Sequence, residues 1–230
     1  MAIAAKDLRS EVRAKEIAPP MILFALTLMF LLTFVLPPTS ARAPIPEPRA
    51  GALATREIAA ALLWASLLFA AVLGFGRSAA SEREGGRMEA LLLTPADPAA
   101  LFAGKALASF AYLWMLEAVL VPAFVLFLDV SPGALFPGLA PVLLAANAGL
   151  ATAGTLFAAA SQEARGRELI LPLLLFPVVL PMVLGAIRLT TALLMRGSFA
   201  GEARWFILIL AFDLALAAIG AVAYEEVVTE

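Results

Sequence analysis

The feature that most constrains this chain is a series of six apolar segments, each close to the length of a membrane-spanning helix. They run approximately over residues 19–36, 57–75, 98–128, 135–160, 168–187 and 204–224. The hydrocarbon core of a bilayer is about 30 Å thick, and about 20 apolar residues in a helix cross it. Hydrophobic residues make up 63% of the chain and charged residues only 15%. The sequence therefore predicts an all-α integral membrane protein with six transmembrane helices, in a single domain that covers residues 1–230.

The distribution of Lys and Arg predicts that both ends of the chain lie in the cytoplasm, because cytoplasmic loops are richer in these residues. With the N-terminus inside, the cytoplasmic segments hold Lys6, Arg9, Arg13, Lys15, Arg77, Arg83, Arg87, Lys105, Arg165 and Arg167. The external segments hold Arg42, Arg49, Arg56, Arg188, Arg196 and Arg204. An alternative with five spans, in which residues 188–203 are re-entrant and the last segment does not cross, stays open.

Residues 3–16 are typical of an amphipathic helix. Ala4, Leu8 and Val12 recur every four positions, and charged residues occupy most of the positions between them. We expect this helix to lie in the cytoplasmic interface, with its apolar stripe among the lipid headgroups. A frayed, solvated tail is the alternative.

Prolines and capping residues predict several helix boundaries. The five prolines within residues 37–50 indicate an extended external loop. Asp97-Pro98 and Ser131-Pro132 each resemble an N-cap followed by proline at the first helical position. These pairs are expected to open the third and fourth spans.

The composition excludes several classes of function. The chain has no cysteine and no histidine, so thiol catalysis, iron–sulfur clusters and most metal sites are excluded. Gly104-Lys105 lacks the other residues of a Walker A loop. The sequence shows no set of acid–base or nucleophilic residues that would indicate an enzyme. We also expect no nucleic-acid partner. If ATP drives this protein, another subunit binds the ATP and Mg²⁺.

A charged segment after the second span is the strongest candidate for a partner contact. It carries an apolar helical stripe at Met88, Leu91 and Leu92 with acidic flanks, and Pro95 ends it. A short cytoplasmic helix of this kind fits a partner's groove; an ordinary solvated loop helix is the alternative. The candidate contact residues are Glu82, Glu84, Gly85, Gly86, Met88, Glu89, Leu91 and Leu92.

The fifth span contains Pro172, Pro177 and Pro181. We expect Pro172 to lie in the first turn of its helix. Pro177 and Pro181 each remove an internal hydrogen bond, which leaves the carbonyls of Leu173 and Pro177 without their usual donors. Such breaks occur in gating segments, and a static kink is the alternative.

Three polar residues fall within spans, namely Glu117, Asn147 and Asp213. A charge at mid-membrane costs about 2.5–3.5 kcal/mol on insertion scales, and we expect no buried Lys or His to pair with them. For Asn147 an interhelical hydrogen bond is favoured over substrate binding. For Glu117 and Asp213, structural and translocation roles both stay open. A stripe of small residues at Ala145, Gly149 and Ala153 favours close helix packing within the subunit, with a homodimer seam as the alternative.

Four motifs in order resemble one protein family. They are Lys6-Asp7-Leu8-Arg9-Ser10-Glu11-Val12-Arg13, then Glu84-Gly85 to Leu91-Leu92 before Pro95, then Gly154-Thr155-Leu156-Phe157-Ala158-Ala159, and Arg167-Glu168 with the following Pro172 to Pro181. The second resembles the cytoplasmic segment of ABC-2-type ABC transporter permeases. The whole chain is similar to the haem exporter protein B (CcmB) family of cytochrome c maturation.

The resemblance implies the ABC-2-type permease fold in the bacterial inner membrane. It implies a homodimer that binds a cytosolic CcmA-like ATPase through Glu82 to Leu92, and further partners that are CcmC-like and CcmE-like haem-handling proteins. Haem is then the cargo, or ATP hydrolysis releases a haem-loaded chaperone; no cofactor is expected to bind this subunit directly. An ABC-2 permease for a drug, lipid or polysaccharide, and a scaffold that transports nothing, are the alternatives.

Overall fold

The computed structural model describes residues 16–34, 49–84, 97–127, 132–161 and 167–229, and this part of the chain is almost entirely helical. The helices are α1 (Ala18–Thr33), α2 (Arg49–Glu84), α3 (Pro98–Phe127), α4 (Pro132–Ala160), α5 (Arg167–Arg196) and α6 (Ala203–Thr229). A 3₁₀ turn at Ala200–Glu202 precedes α6. The prediction of an all-α membrane protein is confirmed.

Within the described residues, five helices are long and apolar enough to cross a bilayer, namely α2 to α6. The remaining helix, α1, has 16 residues, and at 1.5 Å per residue it is about 24 Å long. The predicted first span continues to Leu36, but residues 35–48 lie outside the described part, as do residues 1–15 with the predicted interfacial helix. The chain is therefore a multi-pass membrane protein, while the total of six spans and the orientation remain predictions.

The second helix is much longer than the predicted span over residues 57–75. It has 36 residues and runs from Arg49 to Glu84, so residues 49–56 and 77–84 are helical where loop was expected. No proline lies between Pro48 and Pro95, and the residues beyond the apolar stretch are mostly good helix formers. The helix therefore continues past the membrane-spanning part at both ends.

The fifth helix also differs from its prediction. It runs without a break from Arg167 to Arg196, and residues 188–196, which the five-span alternative treats as re-entrant, are its last turns. A glycine with positive φ, Gly197, ends it, as is common at helix C-termini. The separate, long apolar helix α6 follows, so residues 188–196 continue the fifth helix and α6 is long enough to cross by itself.

Helix α4 lies at the centre of the bundle and packs against α2, α3, α5 and α6. In α4, 78% of the most apolar 18-residue stretch is buried, whereas the corresponding value for α6 is 17%. Helix α6 therefore lies at the edge of the bundle. Glycines allow the close approaches. A Cβ on Gly149 would overlap Met182 of α5 and Asp213 of α6, and a Cβ on Gly154 would overlap the Phe75 ring of α2. At Gly149, the small-residue stripe thus packs within the subunit.

Polar contacts join the helices at one end of the bundle, which is the predicted external end. Arg188 of α5 pairs with Glu57 of α2 at 2.6 Å, and Arg196 pairs with Glu202 at 3.4 Å. Deeper in the bundle, Trp64 Nε1 donates to Thr190 Oγ1 at 2.9 Å, and Thr190 donates in turn to the carbonyl of Ala186. The Glu57–Arg188 and Trp64–Thr190 contacts join α2 to α5.

Candidate functional site

Two polar pairs connect α3 and α4 inside the bundle. Ser109 and Thr155 hydroxyls lie 3.0 Å apart, and Asn147 Nδ2 donates to Glu117 Oε2 at 2.9 Å. Glu117 lies eight residues after Ser109 on α3, and Asn147 lies eight residues before Thr155 on α4. The two helices are therefore antiparallel, and their alignment does not change over the roughly 12 Å between the two pairs.

The Glu117–Asn147 pair is enclosed by protein. Glu117 is 2% exposed and Asn147 is fully buried. Leu113, Leu116 and Leu120 on the same helix are buried as well. Interhelical hydrogen bonds of this kind contribute about 0.6 kcal/mol on average in membrane proteins. The pair therefore joins α3 to α4 in the apolar core.

Asp213 belongs to a different place in the bundle. It extends from α6 to the backbone of Gly149 and is half-buried. Gly149 is two residues after Asn147, which places it about 200° further around α4. The three intramembrane polar residues therefore form two sites on different faces of α4 rather than one cluster.

A polar cavity of about 30 Å³ lies near the predicted cytoplasmic end of the bundle. This volume accommodates about two water molecules. Lys105, Ser109, Tyr112, Thr155 and Tyr224 are among the residues that line it. It is formed by the start of α3 and by the ends of α2, α4 and α6.

Lys105, which the sequence assigned to a cytoplasmic segment, is a buried lysine. Its exposure is 8%, although the sequence places it only two turns into α3. It lies twelve residues before Glu117, about 18 Å along the helix, so it does not pair with that carboxyl group. Lys105 and Ser109 are four residues apart, so both lie on the same face of α3. This spacing was the signal in the sequence for a polar site at that face.

The two tyrosines of the chain meet at the same cavity, although the sequence suggested no pairing. Tyr112 comes from α3 and Tyr224 from α6, where the Tyr224 ring packs on Phe102. Among the described residues, no group of three or more acidic residues forms a metal site. The wall of the cavity therefore combines Lys105 with residues that carry hydroxyl groups.

The predicted partner-contact segment begins at the end of α2. Glu82 and Glu84 belong to the last turn of this helix. Gly85, Gly86, Met88, Glu89, Leu91 and Leu92 lie outside the described residues. The helix is continuous from Phe75 to Glu84, which extends it about 13 Å beyond the predicted span. Glu82 and Glu84 therefore belong to the same continuous helix as the spanning part of α2.

The three prolines of α5 all lie inside the helix. Pro172 was expected in the first turn, but the helix begins at Arg167, so the proline ring falls in the second turn and the carbonyl of Glu168 also lacks its usual donor. Pro177 is exposed on the outer surface of the bundle, while Pro172 and Pro181 are half-buried. Prolines also occur inside α3 and α4, at Pro122, Pro137 and Pro141.

The Asp97 side chain caps α3 as predicted, because its Oδ1 accepts from the Ala99 backbone N–H at 3.1 Å. Helix α4 starts at Pro132, while Ser131 lies outside the described residues. The chain thus enters α3 with a defined cap, immediately after the partner-contact segment.

Comparison with known proteins identifies a family for this chain. The family model described as CcmB protein matches residues 1–229. No curated protein matches the chain. The family match covers all the described helices together with the partner-contact segment, so it applies to the whole bundle rather than to one motif.

Proposed function

The chain belongs to the CcmB protein family, and from this premise we propose that it couples ATP hydrolysis by a cytosolic ATPase to a step in haem handling. Members of the family are permease subunits of the haem-export ABC transporter of cytochrome c maturation. The match over residues 1–229 is the observation that carries the proposal. The coupled step is haem export or the release of a haem-loaded chaperone.

The coupling element in this proposal is α2 with the segment that follows it. An ATPase that binds residues 82–92 would act on the end of a helix that continues unbroken into the bundle. Trp64 and Glu57 of the same helix contact α5. A displacement at Glu84 would therefore reach α5, whose prolines are the proposed point of bending.

The assembly that we propose contains two copies of this chain and two copies of a CcmA-like ATPase in the bacterial inner membrane. CcmC-like and CcmE-like proteins would supply and receive the haem. Haem iron is usually held by His, Cys, Met or Tyr. The chain has no His and no Cys, and its seven Met and two Tyr form no obvious ligand pair in the sequence. In the proposed assembly a partner holds the haem iron, while this subunit supplies the mechanical link.

Chaperone release is favoured over passage of haem through one bundle by the packing of the bundle interior. The polar cavity lies near the predicted cytoplasmic end, between α2, α3, α4 and α6. Buried side chains such as Leu113 and Leu120 fill the bundle above it. The subunit would then transmit force to a partner without itself enclosing haem.

Charge reversal tests the contact with the ATPase. We expect the double variant Glu84→Lys and Glu89→Lys to insert normally and to bind the ATPase at least about tenfold more weakly, a loss of about 1.4 kcal/mol. Co-purification and ATP hydrolysis would be measured. The matched control is Glu202→Lys, which reverses a charge at the other end of the bundle. Wild-type co-purification and hydrolysis of the double variant would contradict the proposed contact.

Reconstitution separates the two coupled steps. The chain and its ATPase would be placed in lipid vesicles with haem on one side and no CcmC-like or CcmE-like protein. Chaperone release predicts no ATP-dependent movement of haem. Movement of haem under these conditions would establish export instead.

A further inference from the structure

The Glu117–Asn147 pair leaves one oxygen on each partner without a hydrogen-bond donor. Asn147 Nδ2 donates to Glu117 Oε2, but Glu117 Oε1 and Asn147 Oδ1 are buried and have no partner. Buried polar atoms in folded proteins are nearly always hydrogen-bonded. Two unpaired acceptors in one contact therefore indicate a missing donor.

The surroundings of Glu117 provide no positive charge that would stabilise a carboxylate. Helices α1 and α4, which both pack on α3, contain no ionisable residue. On α6 the ionisable group at this depth is another acid, Asp213. The ionisable residues of α2 lie towards its two ends, and Lys105 of α3 is about 18 Å away along the helix. An ionised Glu117 would thus be a buried charge without a cation.

A single proton satisfies both oxygens. A protonated carboxyl group has one O–H donor, while a primary amide has N–H donors and a carbonyl acceptor. With Asn147 Nδ2 already bonded to Oε2, a hydroxyl at Oε1 would supply the donor that Asn147 Oδ1 lacks. The result is a closed ring of two hydrogen bonds, in which each partner donates once and accepts once.

We propose that the Glu117–Asn147 pair is a proton-binding site, in which Glu117 is held as an uncharged carboxylic acid that donates to Asn147 Oδ1. The proton removes the charge from the middle of the membrane and makes the link between α3 and α4 a two-bond contact. The buried leucines around it keep water out. Glu117 is then a positioning residue for the helix pair and does not contact cargo.

Infrared spectroscopy of the full chain tests the proposal. The chain would be purified in a detergent that has no carbonyl group and studied at neutral pH with ¹³C-labelled glutamate or ¹³C-labelled aspartate. We expect a C=O band of a protonated carboxylic acid that shifts with labelled glutamate and not with labelled aspartate. The absence of a glutamate-sensitive band would overturn the proposal without any variant having to fold.

Variants assign the band to one residue. Glu117→Gln should remove it, and Asp213→Asn should leave it unchanged. A glutamate-sensitive band that persists in Glu117→Gln would show that another residue carries the proton, which would overturn the assignment.

Stability provides a readout of the hydrogen-bonded ring. Gln can form the same two-bond ring with Asn147, so Glu117→Gln should melt close to the wild-type temperature. Glu117→Leu and Asn147→Leu should each melt at a clearly lower temperature, because each leaves one polar group buried alone. The double leucine variant should recover much of that loss. If Glu117→Gln melted as low as Glu117→Leu, the ring would be contradicted.

Discussion

At the scale of single residues, the closest helix contacts depend on the absence of a side chain. Gly154 lies in the motif that resembles the family and faces the ring of Phe75, which is 4% exposed. An added methyl group would overlap three ring carbons, and a buried ring has little room to move. By contrast, a Cβ on Gly76 of α2 would meet Leu171 at an ordinary distance of 3.8 Å.

Alanine substitutions at these two glycines should therefore affect the stability of the chain differently. Alanine in place of glycine gains roughly 1 kcal/mol of helix propensity, whereas overpacking a core costs typically about 1–3 kcal/mol. We expect Gly154→Ala to lower the thermal transition of the detergent-solubilised chain and Gly76→Ala to leave it unchanged or raise it. Equal transitions in the two variants would show that the α2–α4 contact is looser than described.

The sequence predicts which residues are buried better than it predicts which ones meet. Spacing alone placed Asn147 and Glu117 within spans, but their pairing depends on the register of two separate helices. Lys105 was assigned to a cytoplasmic segment because the orientation count considers only its charge. Its four-carbon stem is apolar, however, and is compatible with burial. Likewise, Trp64 and Thr190 are 126 positions apart in sequence, and no local pattern connects them.

At the scale of helices, apolar length located the spans, but it did not set where the helices end. Helix α2 extends to Glu84 because helix propensity continues after the apolar stretch stops. Helix α5 tolerates three internal prolines, which in membranes is possible when neighbouring groups satisfy the freed carbonyls. The two helices are joined by the Trp64–Thr190 and Glu57–Arg188 contacts.

Restoring the hydrogen bonds of α5 tests its role as a moving part. In the double variant Pro177→Ala and Pro181→Ala, two new N–H groups can donate to the carbonyls of Leu173 and Pro177. We expect greater stability, by up to about 3 kcal/mol per proline, together with lower yields of c-type cytochrome in a strain that depends on this chain.

The matched control for α5 is Pro137→Ala, since Pro137 is also an exposed proline inside a helix, α4. This variant should mature cytochromes normally. Normal maturation by the α5 double variant as well would indicate that its prolines form a static kink.

At the scale of the whole molecule, the contacts divide the described bundle into two ends. Arg56, Glu57, Arg196 and Glu202 come together at one end, and Asp97 and Lys105 lie at the other. The Lys and Arg count predicts that the first end is external. The family match applies to this whole arrangement, whereas cargo and partners depend on proteins that bind it.

Because the chain has no cysteine, single introduced cysteines can report the orientation directly. We expect an impermeant maleimide added to intact spheroplasts to label Ser198→Cys and Ala43→Cys and to spare Ala100→Cys. Ser198 and Ala100 are both exposed in the structure, so accessibility within the protein is matched. If only Ala100→Cys were labelled, the orientation of the chain would be the opposite of the predicted one. Protection of Ala43→Cys with labelling of Ser198→Cys would show that an odd number of the four helices between them, α2 to α5, crosses the membrane.

The account rests on the claim that this chain is a permease subunit that depends on a separate ATPase. The most direct measurement is purification of the chain from its native membranes in mild detergent, with quantification of every protein that accompanies it. We predict a CcmA-like ABC ATPase in equal amount to the chain, and its loss in the Glu84→Lys, Glu89→Lys double variant. Purification without any ABC ATPase, or with the ATPase of a transporter for another cargo, would contradict the claim.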